Sequence, residues 1–245
     1  MEKVVIVCFL HGNEGYGLKV CESQSFFPFF IGNPVAVKEN KRFVETDMNR
    51  CFPGCVDGTE EELLAHNLKE KLKQFDFVID LHSSSNDCPL FGIVTKVNEE
   101  KIEFARRLGL KKLVVMDPKF ASGKALIDHV TCGISLEVGP HERGENVSEV
   151  LTLLENLRTE KNYSTNMEIF IVDGVIEKKA KNISIKNFDF VKQGQIIAFD
   201  ESIIQRAEED FVAILVGEEA YGGVLCLAGE KVHLPSFINN LSLNI

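Results

Sequence analysis

Three largely apolar, strand-like stretches constrain this chain more than any other feature. They cover residues 4–10, apolar throughout, 77–81 and 134–138, and each contains or leads directly into a residue able to bind a metal or move a proton. Runs without polar alternation belong to strands buried on both faces, as in a parallel sheet covered by helices. Helical patterns lie between and after them. Residues 60–75 carry Leu63, Leu64, Leu68 and Leu72 near helical spacing, behind Thr59 as a suitable N-cap. Residues 99–108 read as a helix stopped by Gly109, and 147–157 as an amphipathic helix. Residues 90–95 and 113–116 read as further strands, 34–37 as a short one, and 12–17 as a turn. After about residue 161 Val and Ile alternate with polar residues, and glycines punctuate short runs, which marks a β-rich region. The expected architecture is α/β: a mixed sheet with flanking helices over 1–160, then a small β-rich domain over 161–245.

Composition narrows the function. The 245 residues, 44% hydrophobic, suffice for a sizeable core. No apolar run approaches the roughly 18 residues of a membrane span, and the apolar start is read as a core strand, so a cytoplasmic protein without a membrane partner is expected. A net charge of -10 argues against nucleic acid and means that an anionic substrate needs a local basic pocket. Seven cysteines, an odd count, are expected as free thiols, and Cys51 with Cys55 forms a CxxxC spacing without the second pair a zinc site needs. No phosphate-binding loop, dinucleotide fingerprint or GxSxG elbow is present. His129, His141 and His233 stand alone, and Ser83, Ser84 and Ser85 read as hydrogen-bonding groups at a strand end.

The polar residues at or just beyond the ends of these stretches are His11 and Glu14, then Asp80 and His82, then Glu137. In an open α/β sheet, ligands gather beyond the carboxyl ends of the strands, so three distant stretches would deliver these groups to one edge. Two histidines and one carboxylate suit a single zinc ion with one position left for water. Glu137 would then take and return a proton, and Asp80 would orient a ligand from behind. Taken alone, the His-x-x-Glu pair is a weak signal that a solvated turn also satisfies. Lys38, Lys41, Arg42 and Arg50 taken alone read as a solvated basic loop, and Tyr221 beside Gly222 and Gly223 as a turn residue.

At these residues the sequence resembles the aspartoacylase and succinylglutamate desuccinylase family, relatives of the zinc carboxypeptidases. The resemblance runs in order through His11-Gly12-Asn13-Glu14, Ile31-Gly32-Asn33-Pro34, Asp47-Met48-Asn49-Arg50, Asp80-Leu81-His82, Glu137-Val138-Gly139-Pro140 and Glu218-Glu219-Ala220-Tyr221. It implies a zinc carboxypeptidase-like fold and one zinc ion per chain on His11, Glu14 and His82. It implies Glu137 as general base and acid, and Arg42 as the group that polarises the scissile carbonyl. Asn49 and Arg50 resemble the pair that binds a substrate carboxylate, and Tyr221 a tyrosine that caps it. The physics agrees: fixed positive groups help most where charge develops, and a guanidinium fork matches a carboxylate.

The implied activity is hydrolysis of the amide of a small N-acyl amino acid, with a homodimer expected from some relatives. Lys119-Phe120-Ala121-Ser122-Gly123-Lys124 stands where animal aspartoacylases carry Lys-Tyr-Ala-Thr-Thr-Arg. Phe120 lacks the hydroxyl, and Lys124, aligned as a substrate-binding cation, lacks the fork; a shifted specificity is implied. Two other readings use the same residues: a carboxypeptidase cutting peptide C-termini, against which the β-rich region counts by narrowing the cleft, and a non-catalytic carboxylate-binding member.

Overall fold

Alternation along the first strand sets the layers. In β1 (Val4–Cys8), Val4, Ile6 and Cys8 enter one core cluster while Val5 and Val7 enter another, so both faces of the strand are buried. The computed structural model describes residues 2–141, 145–159 and 166–233. The boundary expected at 160/161 lies outside the described residues. After β1 come α1 (Tyr16–Ser23), β2 (Phe29–Ile31), α2 (Pro34–Glu39), α3 (Glu60–Leu72), β3 (Phe77–Ser83), β4 (Phe91–Thr95), α4 (Glu99–Leu108), β5 (Lys112–Met116), β6 (Cys132–Val138) and α5 (Glu145–Thr159). The later chain adds β7 (Glu168–Glu177), β8 (Asn182–Ile183), β9 (Phe190–Val191), β10 (Ile196–Phe199), β11 (Ile204–Arg206), β12 (Phe211–Ile214) and β13 (Val224–Val232).

The large sheet has ten strands in the order β2-β1-β3-β6-β4-β5-β7-β13-β12-β9. Its first four strands are parallel, β4 runs antiparallel to β6, and from β7 onward the pairing is antiparallel, so the sheet is mixed as expected. Helices α1, α4 and α5 cover one face through Val20, Leu108 and Leu154. Helix α3 covers the other through Ala65, Leu68 and Leu72 against Val5, Val7 and Val78. Strand β7 extends the large sheet beside β5. The later strands also build a second sheet, β11-β10-β8, over a core of their own that includes Val191, Ile197, Phe211 and Leu225.

Residues 34–37 are a correction to the sequence reading. They form helix α2, not a strand. The Asn33 side chain accepts from Ala36 N at 3.0 Å, Pro34 opens the helix, and Asn40 closes it in the left-handed conformation. The strand beside β1 is Phe29–Ile31 instead. Helix α1 begins inside the expected 12–17 turn, with Tyr16, Gly17, Val20 and Cys21 buried. Other signals hold: Gly109 ends α4 at φ 82°, and all seven cysteines are free. Among the described residues no helix is long and apolar enough to cross a membrane.

Thr59 and Glu62 form a reciprocal cap on α3. The Thr59 hydroxyl accepts from Glu62 N at 3.3 Å, and Glu62 accepts from Thr59 N at 2.8 Å. Thr59→Ala should cost about 1 kcal/mol, read as a lower urea midpoint with an unchanged slope.

Candidate metal centre

Strand register assembles the centre. β1 and β6 flank β3 in parallel, with Val7 opposite Asp80 and His82 opposite Glu137. The residues beyond these strand ends therefore meet above one edge. The turn after β1 is held close to α2: Gly12 N donates to Arg42 O at 3.1 Å, and a Cβ on Gly12 would lie 2.1 Å from the Ala36 carbonyl carbon. Only glycine permits that approach, and it carries His11 and Glu14 into the interior.

His11, Glu14 and His82 are buried, and one ligand atom from each lies within 4.8 Å of the others. Both histidines turn Nδ1 toward Glu14, at 2.9 Å from Oε1 for His11 and 3.1 Å from Oε2 for His82. Behind the rings, His11 Nε2 meets Asp47 Oδ1 at 3.1 Å and His82 Nε2 meets Asp80 Oδ2 at 2.7 Å. Carboxylates behind a ring fix its orientation and raise its basicity, as ligating histidines require. Among the described residues Asp80 Oδ1 is buried without a hydrogen-bond partner, and the carboxyl groups of Glu14, Asp47, Asp80 and Glu137 crowd one small volume, an arrangement that a dication would favour. The donor set fits a divalent metal that takes nitrogen and oxygen, such as zinc.

The electrostatics follow from this crowding. Burial works against ionisation of Glu14, yet His11 and His82 outweigh it and hold its carboxyl far below the usual range. Burial also opposes a charged His82, but Asp80 and Glu14 prevail and raise it well above the ordinary imidazole value. Burial opposes the Asp47 carboxylate too, and His11, Arg42 and Arg50 more than compensate. Glu137 lacks such compensation: burial pushes its carboxyl up to about 8, against the pull of His82. A bound cation would draw it back down.

Arg42 donates to Asp47 Oδ2 from Nε at 3.2 Å and Nη2 at 3.0 Å, and its Nη1 lies 4.0 Å from Glu14 Oε1. The Asn49 amide nitrogen lies 3.3 Å from His82 Nε2, and Asn49 Oδ1 accepts from Leu126 N at 2.9 Å. Arg50 donates to Asn49 O at 2.7 Å and to the Tyr221 hydroxyl at 3.0 Å. Tyr221 comes from a short 3-10 turn, Glu219–Tyr221, between β12 and β13. His11, Glu14, Arg42, His82, Glu137 and Tyr221 thus border one cavity of about 40 Å³. Larger hollows of about 350 and 290 Å³ lie among the later strands and contain none of these residues.

Residues 1–155 match the family described as the succinylglutamate desuccinylase/aspartoacylase catalytic domain. The chain belongs to this family. A probable aspartoacylase of Acaryochloris marina is 30% identical over 64% of this chain and 61% of its own length. An N-acyl-aromatic-L-amino acid amidohydrolase (carboxylate-forming) of Xenopus laevis is 25% identical over 98% of this chain and 90% of its own. The fold matches murine aminoacylase 3 with a TM-score of 0.79 at 19% identity, over 94% of this chain and 95% of that one. A succinylglutamate desuccinylase/aspartoacylase structure from Rhodobacter sphaeroides gives 0.74 at 16% identity, over 95% and 86%.

Eight of the nine residues expected from the family pattern therefore converge: His11, Glu14, His82, Glu137, Arg42, Asn49, Arg50 and Tyr221. Lys124 is exposed and lines neither cavity at the centre. Three contributors went unassigned in the sequence. Asp47 and Glu218 stand inside motif stretches without a role; Asp47 bridges His11 and Arg42, and Glu218 accepts from Ser85 N at 3.0 Å. Tyr16, whose hydroxyl donates to His82 O at 2.9 Å, carried no local signal at all. His141, read as a lone histidine, meets Ser83 Oγ at 2.7 Å through Nδ1.

The raised Glu137 carboxyl yields a pH dependence for metal-stripped protein. The folded chain keeps this proton between its ordinary value of 4.5 and about 8, where the unfolded chain has released it. Its contribution to stability is present below 4.5 and lost as pH rises through about 8. Glu137→Gln, which imitates the neutral form, should gain on the unsubstituted protein by up to about 1.4 kcal/mol per pH unit across that window. Urea midpoints of the two chelator-treated proteins at pH 5 and pH 8 check this; an equal gap at both would refute it.

Proposed function

We propose that this protein hydrolyses the amide bond of a small N-acyl amino acid, with one zinc ion held by His11, Glu14 and His82. The observation that carries the reading is the convergence of these buried side chains on one small cavity that Glu137 and Arg42 also border. The family match and the amidohydrolase name of the Xenopus laevis relative support it. When bound, zinc supplies a Lewis acid for the carbonyl and lowers the pKa of a water toward neutrality.

The chain's own residues do the remainder. Glu137 takes a proton from the attacking water and delivers it to the amide nitrogen as the carbon–nitrogen bond breaks. Arg42, steered by Asp47 at 3.0 Å, presents a fixed positive charge to the oxygen that becomes anionic. Arg50, with Asn49 beside it, offers its planar fork to the substrate carboxylate. The Tyr221 hydroxyl already sits on that fork at 3.0 Å and closes over the bound carboxylate.

Glu137→Ala should abolish amine release from N-acyl amino acids, measured by a ninhydrin-type assay, while metal analysis still finds one zinc per chain. Turnover by that variant would sink the mechanism. Asp47→Asn should weaken zinc binding by about 10- to 100-fold through the loss of support behind His11, read by competition with a chromophoric chelator.

A further inference from the structure

A second cavity of about 70 Å³ opens from the same centre, sharing Asn49, His82, Glu137, Leu215 and Tyr221 with the first and adding Arg50. Beyond Arg50 and the shared residues its walls are mostly apolar: Ile93, Met116, Phe120, Ala121, Ala125 and Ile127. These side chains belong to one hydrophobic cluster, which anchors the wall against rearrangement. We propose that this inner cavity takes the side chain of the acylated amino acid, and that it selects a neutral, apolar side chain over an acidic one.

The argument is one of charge and partners, and it rests on the deacylase reading above. The guanidinium at the cavity mouth is Arg50, and the substrate's α-carboxylate takes it. Of the residues that line this cavity, Arg50 is the only arginine or lysine, and His82 is committed to the proposed metal. Lys124, the aligned candidate for a second one, is exposed and elsewhere. Asp117, which also lines the cavity, adds a further acidic group. A side-chain carboxylate entering here would lose its water and meet no counter-charge, which is strongly unfavourable. An apolar side chain would instead cover Ile93, Met116 and Ile127 and remove apolar surface from solvent. Phe120 is the larger of the two partly buried wall residues, with Ala121, on the short 3-10 turn Pro118–Ala121, and contributes most of that turn's apolar surface.

The test compares kcat/KM of the zinc-loaded protein for N-acetylphenylalanine and N-acetylleucine with that for N-acetylaspartate and N-succinylglutamate. The apolar substrates should win by about 100-fold or more, the scale set by burying an unpaired carboxylate. Phe120→Arg should lower the apolar rates by at least about tenfold and raise those for N-acetylaspartate, since a cation then faces the side chain. A preference for the acidic substrates, or a Phe120→Arg protein with unchanged preference, overturns the proposal. Calorimetric binding of the same compounds to zinc-loaded Glu137→Gln separates it from the hydrolysis reading. Tight binding of N-acetylphenylalanine over N-acetylaspartate, with no turnover by the unsubstituted protein, keeps the pocket and rejects the deacylase. Turnover without selective binding or selective rates does the reverse.

Discussion

The parallel register of β1, β3 and β6 is the constraint on which the rest depends. Because β3 lies between the other two, with Val7 opposite Asp80 and His82 opposite Glu137, the strand ends deliver their polar groups to one small volume. A slip of one residue would turn His82 to the opposite face and remove it from the centre. Both faces of these strands are packed, by α1, α4 and α5 on one side and α3 on the other, so no slip is tolerated. The same hydrophobic burial that stabilises the fold therefore holds the geometry of the site.

Holding that geometry concentrates charge. Glu14, Asp47, Asp80 and Glu137 would repel one another in a dry interior. Asp47 offsets this by serving three neighbours at once: His11, Arg42 and the backbone of Asn49, at 3.1, 3.0 and 2.9 Å. One carboxylate thus ties a proposed metal ligand, the proposed oxyanion group and the proposed carboxylate-binding turn into a unit. Glu137 is the exception, held near neutrality by burial. A group in that state suits proton exchange better than a salt bridge would.

The later strands complete the site from above. Tyr221 reaches Arg50 across 171 residues of sequence, and Glu218 and the Val216–Gly217 backbone fasten the loop after β3 through Ser85 and Asn86. These contacts narrow the cleft over the candidate metal centre. They also help divide it into a reactive cavity and an inner one, since Leu215 and Tyr221 line both. On the proposed reading, substrate size and substrate side chain meet different walls.

What the sequence determined by itself was local chemistry and periodicity. Apolar-rich stretches, continuous only in β1, marked the buried strands at the centre of the sheet, Thr59 and Gly109 marked helix ends, and the polar residues at the ends of those stretches named the candidate ligands. Residues 34–37 misled because a short apolar stretch reads alike in either state, and the deciding hydrogen bond from Ala36 to the Asn33 side chain is a capping geometry. Only the tertiary structure decided what each polar group faces. Asp47 behind His11, Tyr16 beneath His82 and Arg50 against Tyr221 are long-range pairs, set by packing between elements that no local pattern encodes. The same packing left Lys124 in solvent and turned Phe120 toward the inner cavity. Which side of a surface turn a residue occupies depends on the strands beneath it, not on its neighbours in the chain.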